Sequence, residues 1–230
     1  MPTPLESIRI VATRLSPLNV RFVFLGGAVV PLLVDHPTLM EFRPTKDVDV
    51  IVELISYPEF SAFEERLRAA GFKHDTSEGA PICRWIVENC RVDVMPMDSR
   101  PLGMNTSWFR EALQLSNLVD LGEGREANVI APALFLATKL EAFQDRGKGD
   151  YYSSHDLEDI ITVVDGRPRI VEDVSSAPEA VRAFISGWFT HLLSEADFRD
   201  AFPGHLSGMT GARQAAPLVM KRFEKIAALR

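Results

Sequence analysis

Cysteine is scarce in this chain. Two residues among 230, Cys83 and Cys90, offer no disulfide framework,. They could face each other across a hairpin, but in a reducing compartment two buried thiols are the expected state. Positive charge is also in deficit, with 25 Lys and Arg against 32 Asp and Glu, a formal charge of −7. That balance argues against broad nonspecific nucleic-acid binding, whose affinity comes from neutralised phosphates, although it leaves room for a local basic groove. Long hydrophobic runs are absent too. The longest spans residues 22–34, 13 positions, against roughly 20 for a membrane-spanning helix, so it reads as core and no membrane association is expected. Glu6, Arg9 and Arg14 break any apolar stretch near the start, so no secretory leader is expected and the compartment reads as cytoplasmic. Repeats and low-complexity tracts are missing, which excludes solenoid, fibrous and disordered classes. The 46% of hydrophobic residues suffices for one large or two small domains at about 100–200 residues each.

Periodicity supplies the layout. Leu5, Ile8, Val11 and Leu15 have helical spacing,. Residues 20–25 form a short run rich in Val and Phe that stops at Gly26-Gly27, as a buried strand does at a tight turn, and residues 28–34 read as a short helix,. In residues 46–53, KDVDVIVE, acids and valines alternate before the run becomes apolar, which predicts a strand with one polar end,. An amphipathic helix is predicted over 58–70, closed by Gly71,. Strands over 82–87 and 91–95 follow, with a turn at Glu88-Asn89-Cys90, and short strands are expected around Val119 and Val129. After Pro132 the pattern is helical: residues 133–146, a break GKGDYYSS, a helix capped by Ser153 or Ser154 and ended by Gly166 and Pro168, then helices over 178–193 and 217–229 with a Gly-rich loop at 204–211 between them,. The expected organisation is an α/β (α+β) domain over residues 1–128 and a helical domain over 129–230.

The local chemistry centres on carboxylates. Asp47 and Asp49 are two apart on a strand, so both emerge on one face while Val48 and Val50 turn to the core,. Two parallel carboxylates repel, and their close placement points to a divalent cation; the alternative is a solvated strand edge. Gly26-Gly27, between strand and helix, would let backbone N–H groups approach a phosphate, or simply meet the need of a tight turn. Asp93 lies between Val92 and Val94 in RVDVMP. If its strand lies beside that of Asp47 and Asp49, the three acids form a cluster suited to in-line phosphoryl chemistry with two metal ions.

FLGGAVV, TKDVDVIVE and RVDVMP together resemble the nucleotidyltransferase superfamily of the DNA polymerase β type. The resemblance covers about residues 20–97. It implies a minimal mixed sheet flanked by helices, a bound nucleoside triphosphate, Mg²⁺ or Mn²⁺, and transfer of a nucleoside monophosphate to a hydroxyl. Asp47, Asp49 and Asp93 match its metal-binding and catalytic carboxylates. Gly26 and Gly27 match the phosphate-contacting turn, and Lys46 is counted with the nucleotide-binding residues.

In the second half, ATKLEAFQDR and SSHDLEDI resemble the K-L-x-A-x-x-x-R and D-x-x-D-L pattern of AbiEii-type nucleotidyltransferase toxins of toxin–antitoxin systems. Lys139 and Arg146 match the cations that meet the triphosphate, with Lys139 also in the catalytic set. Asp156 and Asp159 match a general-base or orienting pair, Asp156 catalytic and Asp159 nucleotide-binding. Solvated pairing for Lys139 and a helix-dipole role for Asp156 are the plain alternatives. The spacing between the two motifs is longer than the family's, extended by residues 147–152 as a lid or a longer loop, and His155 stands where a basic residue is common. The implied acceptor is RNA, such as a tRNA end, or protein, and the implied partner an antitoxin. Two other readings stay open: a catalytically inactive nucleotidyltransferase-fold regulatory partner, and a small-molecule, antibiotic-type nucleotidyltransferase. Trp85, Trp108 and Trp188 read as core. His36, His74, His191 and His205 show no metal-ligand spacing. The basic C-terminal residues Arg213, Lys221, Arg222, Lys225 and Arg230 read as a solvated face, with an RNA surface as the alternative.

Overall fold

The computed structural model describes residues 2–40, 42–54, 56–98, 107–147, 149–206 and 212–229. Along the chain, helix α1 (Pro4–Leu15) leads into strand β1 (Phe22–Leu25) and the single-turn helix α2 (Val30–Leu33). Strand β2 (Asp47–Val52) is followed by α3 (Tyr57–Ala69), the two-residue β3 (Lys73–His74) and a hairpin of β4 (Arg84–Val87) and β5 (Cys90–Pro96). Helix α4 (Phe109–Gln114) precedes a second hairpin, β6 (Asn117–Gly122) and β7 (Arg125–Val129). Then come α5 (Pro132–Arg146), α6 (His155–Gly166), α7 (Ile170–Ser175), α8 (Glu179–Ser194), α9 (Ala196–His205) and α10 (Ala212–Ala227). The chain forms two compact units. The first holds the chain up to Val29 and Pro44 to Ala131; the second holds Val30 to Arg43 and everything from Pro132 onward.

The first unit is built on a mixed sheet in the order β3-β4-β5-β2-β1-β7-β6. β2 runs antiparallel to β1 and parallel to β5, and β1 runs parallel to β7. The crossover from β2 to β5 carries α3, which has length enough for a parallel connection. Helix α1 starts at a capping box: the Thr3 hydroxyl accepts from the Glu6 N–H, and the Glu6 carboxylate accepts from the Thr3 N–H at 2.7 Å,. It buries Ile8, Val11, Ala12 and Leu15, the predicted face, and packs on β2 and β5. α3 repeats the device with Ser56 and Glu59. Gly71 follows α3 at φ +90°, a conformation that suits glycine at a helix end,.

The β4–β5 hairpin differs from the sequence expectation in one detail. Its loop is the two residues Glu88 and Asn89, both at positive φ (46° and 66°), and Cys90 already pairs with Val87. A two-residue loop with both φ positive matches the right-handed twist of the strands, so the three-residue turn is not needed. The register also keeps the cysteines apart: Cys83 lies beside Val94, whose N–H donates to its carbonyl, and both thiols are free and buried.

The second unit is helical. α5 packs on α6, α7 and α8, and α10 packs on α6, α7 and α8. Ser154 caps α6, its hydroxyl accepting from the Leu157 N–H,. Two helices, α7 and α9, were not expected from the sequence. Each is short, and α9 contains Pro203, so local propensity is weak. What holds α9 is packing: the rings of Phe198 and Phe202 lie 5.7 and 5.6 Å from that of Phe223 on α10. Helix α10 begins five residues before the expected Pro217, and residues 207–211 of the expected loop lie outside the described residues. Arg222, counted by sequence with the basic face, instead donates to the carbonyls of Val164 and Asp165 at 2.7 and 2.5 Å, satisfying the C-terminal end of α6,.

Candidate functional site

In the first unit the carboxylates collect on one face of the sheet. β2 alternates as its sequence implies, with Val48 and Val50 buried and Asp47 and Asp49 partly exposed. Asp49 pairs in register with Asp93 on the parallel neighbour β5 and with Leu25 at the end of β1. The predicted juxtaposition of Asp93 with the Asp47–Asp49 strand is therefore present in the backbone. Immediately after Leu25, Gly26 adopts φ +74°, and a Cβ built there would lie 1.8 Å from Asp49 Oδ2. Glycine is required twice over, by the turn and by the carboxylate beside it. Gly27 opens a 3₁₀ turn over Gly27–Val29, and Lys46 is exposed just before β2.

A residue that sequence reasoning missed organises this face. Arg84 on β4 faces Asp93 directly in the hairpin register. Its Nε and Nη2 donate to Asp93 Oδ1 and Oδ2, each at 2.7 Å, and the same Nη2 donates to Asp47 Oδ2 at 2.7 Å. Asp47 and Asp93 thus lie within twice that distance of each other around one guanidinium. The fork geometry matches carboxylate oxygens, the strong form of this contact. The hydrogen bonds to Asp93, outweighing burial, push the Arg84 pKa further up. Hairpin arithmetic was the usable signal: a two-residue turn at Glu88-Asn89 sets Arg84 opposite Asp93. Among the described residues, no three His, Cys, Asp or Glu side chains stand close enough to hold an ion as they are. Arg84 occupies the oxygens through which Asp93 and Asp47 would converge.

Beside this face, burial pushes the Cys83 thiol up to about 12, with the charges of Asp93 and Asp49 acting in the same direction. An iodoacetamide time course at pH 8, read by mass spectrometry, is expected to modify Cys83 roughly a thousandfold more slowly than an ordinary cysteine, because the thiolate is the nucleophile. Rapid modification of the native protein would contradict this placement.

The second unit holds a separate buried ionic cluster. Lys139 on α5 and Asp156 and Asp159 on α6 are each more than nine-tenths buried. Lys139 Nζ lies 3.1 Å from Asp156 Oδ1 and 2.6 Å from Asp159 Oδ2. Arg146, seven residues after Lys139 on the same helix face, forks onto Asp156 through Nε and Nη2 at 2.9 and 2.8 Å. All four residues named from the sequence are therefore brought together. Burial alone would push Asp156 up; the Arg146 hydrogen bonds and the Lys139 charge outweigh it and hold the carboxyl below its usual range,. With both oxygens engaged and a lowered pKa, Asp156 is a weak proton acceptor and a strong orienting group. Arg43 also joins the cluster, 3.3 Å from Asp159 Oδ2 and 3.7 Å from Glu158 Oε2. No periodic pattern marks it, since it sits outside regular structure. The break before α6 is anchored at Tyr151, whose ring lies 5.5 Å from that of Phe143 and whose carbonyl meets His205 Nε2 at 2.7 Å. His155 is exposed and lies 3.4 Å from Glu158.

The sequence matches no protein-family model and no curated protein. Solved structures do match. An antigenic nucleotidyltransferase-like protein from Paracoccidioides brasiliensis aligns with a TM-score of 0.52 at 17% identity, over 90% of this chain and 93% of that one. JHP933 from Helicobacter pylori aligns with a TM-score of 0.50 at 10% identity, over 96% of this chain and 89% of that one. Likeness at these identities speaks to fold: the mixed sheet with its helices and C-terminal helical region is a nucleotidyltransferase-like fold. No helix among the described residues is long and apolar enough to cross a membrane.

Proposed function

We propose that this chain is a divalent-cation-dependent nucleotidyltransferase, moving a nucleoside monophosphate from a nucleoside triphosphate to a hydroxyl acceptor. The observation that carries the reading is the register of Asp49 beside Asp93 on parallel strands, with Asp47 on the same face of β2, in a nucleotidyltransferase-like fold. In the proposed reaction the acceptor oxygen forms a bond to the α-phosphorus, the α–β bridging P–O bond breaks, pyrophosphate leaves, and the hydroxyl proton is released.

The residues fit a hard divalent ion by donor chemistry, since carboxylate oxygens suit Mg²⁺ and Mn²⁺. The Arg84 guanidinium on Asp47 and Asp93 already marks the face as one that holds positive charge. Asp47 and Asp49 would hold the ions, with Asp93 beside them. When bound, such ions neutralise triphosphate charge and favour the attacking oxygen. Asp93 orients the acceptor, Gly26 and Gly27 let the backbone approach the phosphates, and Lys46 contributes to nucleotide binding. Lys139 and Arg146 act as triphosphate-binding cations, as the sequence resemblance implies, and Asp156 with Asp159 holds Lys139 in place.

The finer assignment is a toxin-like transferase of the AbiEii type, with RNA or protein as acceptor and an antitoxin as partner. It is supported by the Lys139–Arg146 and Asp156–Asp159 motifs. A second reading, a non-catalytic protein that keeps the fold, draws on the Arg84 fork, which takes up two of the three carboxylates. Incubation with labelled nucleoside triphosphates, Mg²⁺ and total RNA, beside Asp49→Ala, separates them. Label transfer by the wild type, lowered on the order of a thousandfold in the variant, is expected, since each ~1.4 kcal/mol of lost transition-state stabilisation is tenfold in rate. Equal signals would sink the enzyme reading. Triphosphate consumption that leaves RNA unlabelled and labels only a small antibiotic-type acceptor would move the assignment to the small-molecule class.

A further inference from the structure

We infer that the Arg84 guanidinium and a divalent cation are alternative occupants of Asp47 and Asp93, so that Arg84 competes with the ion and sets its affinity. The inference rests on the metal-dependent reading above and adds a positioning residue to it. The competition is for the same lone pairs. Arg84 takes both oxygens of Asp93 and one of Asp47, three contacts of 2.7 Å from two nitrogens. A divalent ion held by those oxygens would sit where the guanidinium now lies, and two cations in direct contact repel strongly.

Arg84 is well suited to this role. It is fixed opposite Asp93 by the β4–β5 register, so its backbone stays in place whichever occupant is bound. It cannot lose its proton under ordinary conditions, so only a competing cation removes it from the acids. Its side chain is 17% exposed and that of Asp47 34%, which leaves an outward path for a long, flexible stem. With the guanidinium in place, the repulsion between neighbouring carboxylates is relieved without an ion. A purely structural ion pair would make the same contacts, but its removal would affect stability alone. The two ideas therefore part company on ion binding.

The test is Mn²⁺ titration, followed by calorimetry and by the electron paramagnetic resonance signal of free Mn²⁺, on the full-length wild type, Arg84→Gln, Arg84→Lys and Asp49→Asn. Arg84→Gln is expected to bind Mn²⁺ about tenfold more tightly than the wild type, the loss of one charge-assisted competitor. Arg84→Lys is expected to fall between them, because an ammonium cannot fork onto Asp93. Saturating Mn²⁺ should raise the melting temperature of Arg84→Gln more than that of the wild type, while in EDTA the variant melts lower. If Arg84→Gln fails to fold, Arg84→Lys decides, and must bind more tightly than the wild type. Equal or weaker binding by the folded variants overturns the Arg84 inference and leaves the metal reading standing. Absence of Mn²⁺ binding above the Asp49→Asn background in every protein overturns both.

Discussion

Gly26→Ala is expected to cut the proposed nucleotidyl transfer about a hundredfold or more while leaving the protein folded. Two effects meet at this position. The residue has φ +74°, and an L side chain in the left-handed region costs roughly 1–2 kcal/mol, which a chain of this size tolerates. The larger effect is local. The new Cβ would stand 1.8 Å from Asp49 Oδ2 and 2.6 Å from its Cγ, so the Asp49 carboxylate must move by more than an ångström. A misplacement of that order at a reacting site can cost about a hundredfold in rate. Circular dichroism and a melting curve measure the first effect, and the labelled-nucleotide assay the second. A variant with wild-type transfer would mean that the position of Asp49 beside the glycine turn does not matter to the reaction.

Lys139→Met is expected to destabilise the helical unit strongly. The ammonium is surrounded by Asp156 and Asp159, both side chains 6% exposed. Removing one partner of a buried ionic group leaves charge uncompensated, at about 3–5 kcal/mol. A drop in melting temperature of roughly 10 °C follows at this chain length. Arg146 and Arg43 still neutralise part of the charge on Asp156 and Asp159, which favours the lower end. Arg146→Gln is the internal comparison: its side chain is 70% exposed, so its loss should cost much less. The pH dependence carries a sign. The folded-state pKa of Asp156 is lowered from 3.8, so the carboxylate stabilises the fold fully above that value, and the stabilisation is lost as pH falls through the lower folded-state pKa. The stability gap between the wild type and Asp156→Asn should therefore narrow below about pH 4 and stay constant from there to neutrality. A gap that grew on acidification would contradict the ionised arrangement.

Much of the candidate site was legible because strand periodicity is rigid. Once β2 is a strand, Asp47 and Asp49 must share a face and Val48 and Val50 the other. Helical spacing likewise put Lys139 with Arg146 and Asp156 with Asp159, and all four meet. The residues that were missed are those whose importance lies in a partner. Arg84 is an ordinary arginine on a short strand until the hairpin loop is known to have two residues, and the expected three-residue turn hid its pairing with Asp93. Arg43 lies outside any periodic element, so nothing local connects it with Asp159, 116 residues later. Helices α7 and α9 were missed because they are short and held by packing rather than by their own propensity, α7 against α5, α8 and α10 and α9 through the rings of Phe198 and Phe202 against Phe223,.

The amino-acid sequence by itself determined the alternation of apolar and acidic residues, the capped helix starts and the positions at which only glycine is tolerated, because these follow from backbone geometry over a few residues. Tertiary structure alone decided which carboxylate lies beside which, and what cation each one meets. Strand order sets Asp93 next to Asp49, hairpin register delivers Arg84 to Asp93 and Asp47, and helix packing buries Lys139 between two aspartates. Charges interact across space rather than along the chain, so their balance at a site is a property of the fold. The scarcity of positive charge in the whole chain therefore gave no indication that guanidinium and ammonium groups would be concentrated on these acids.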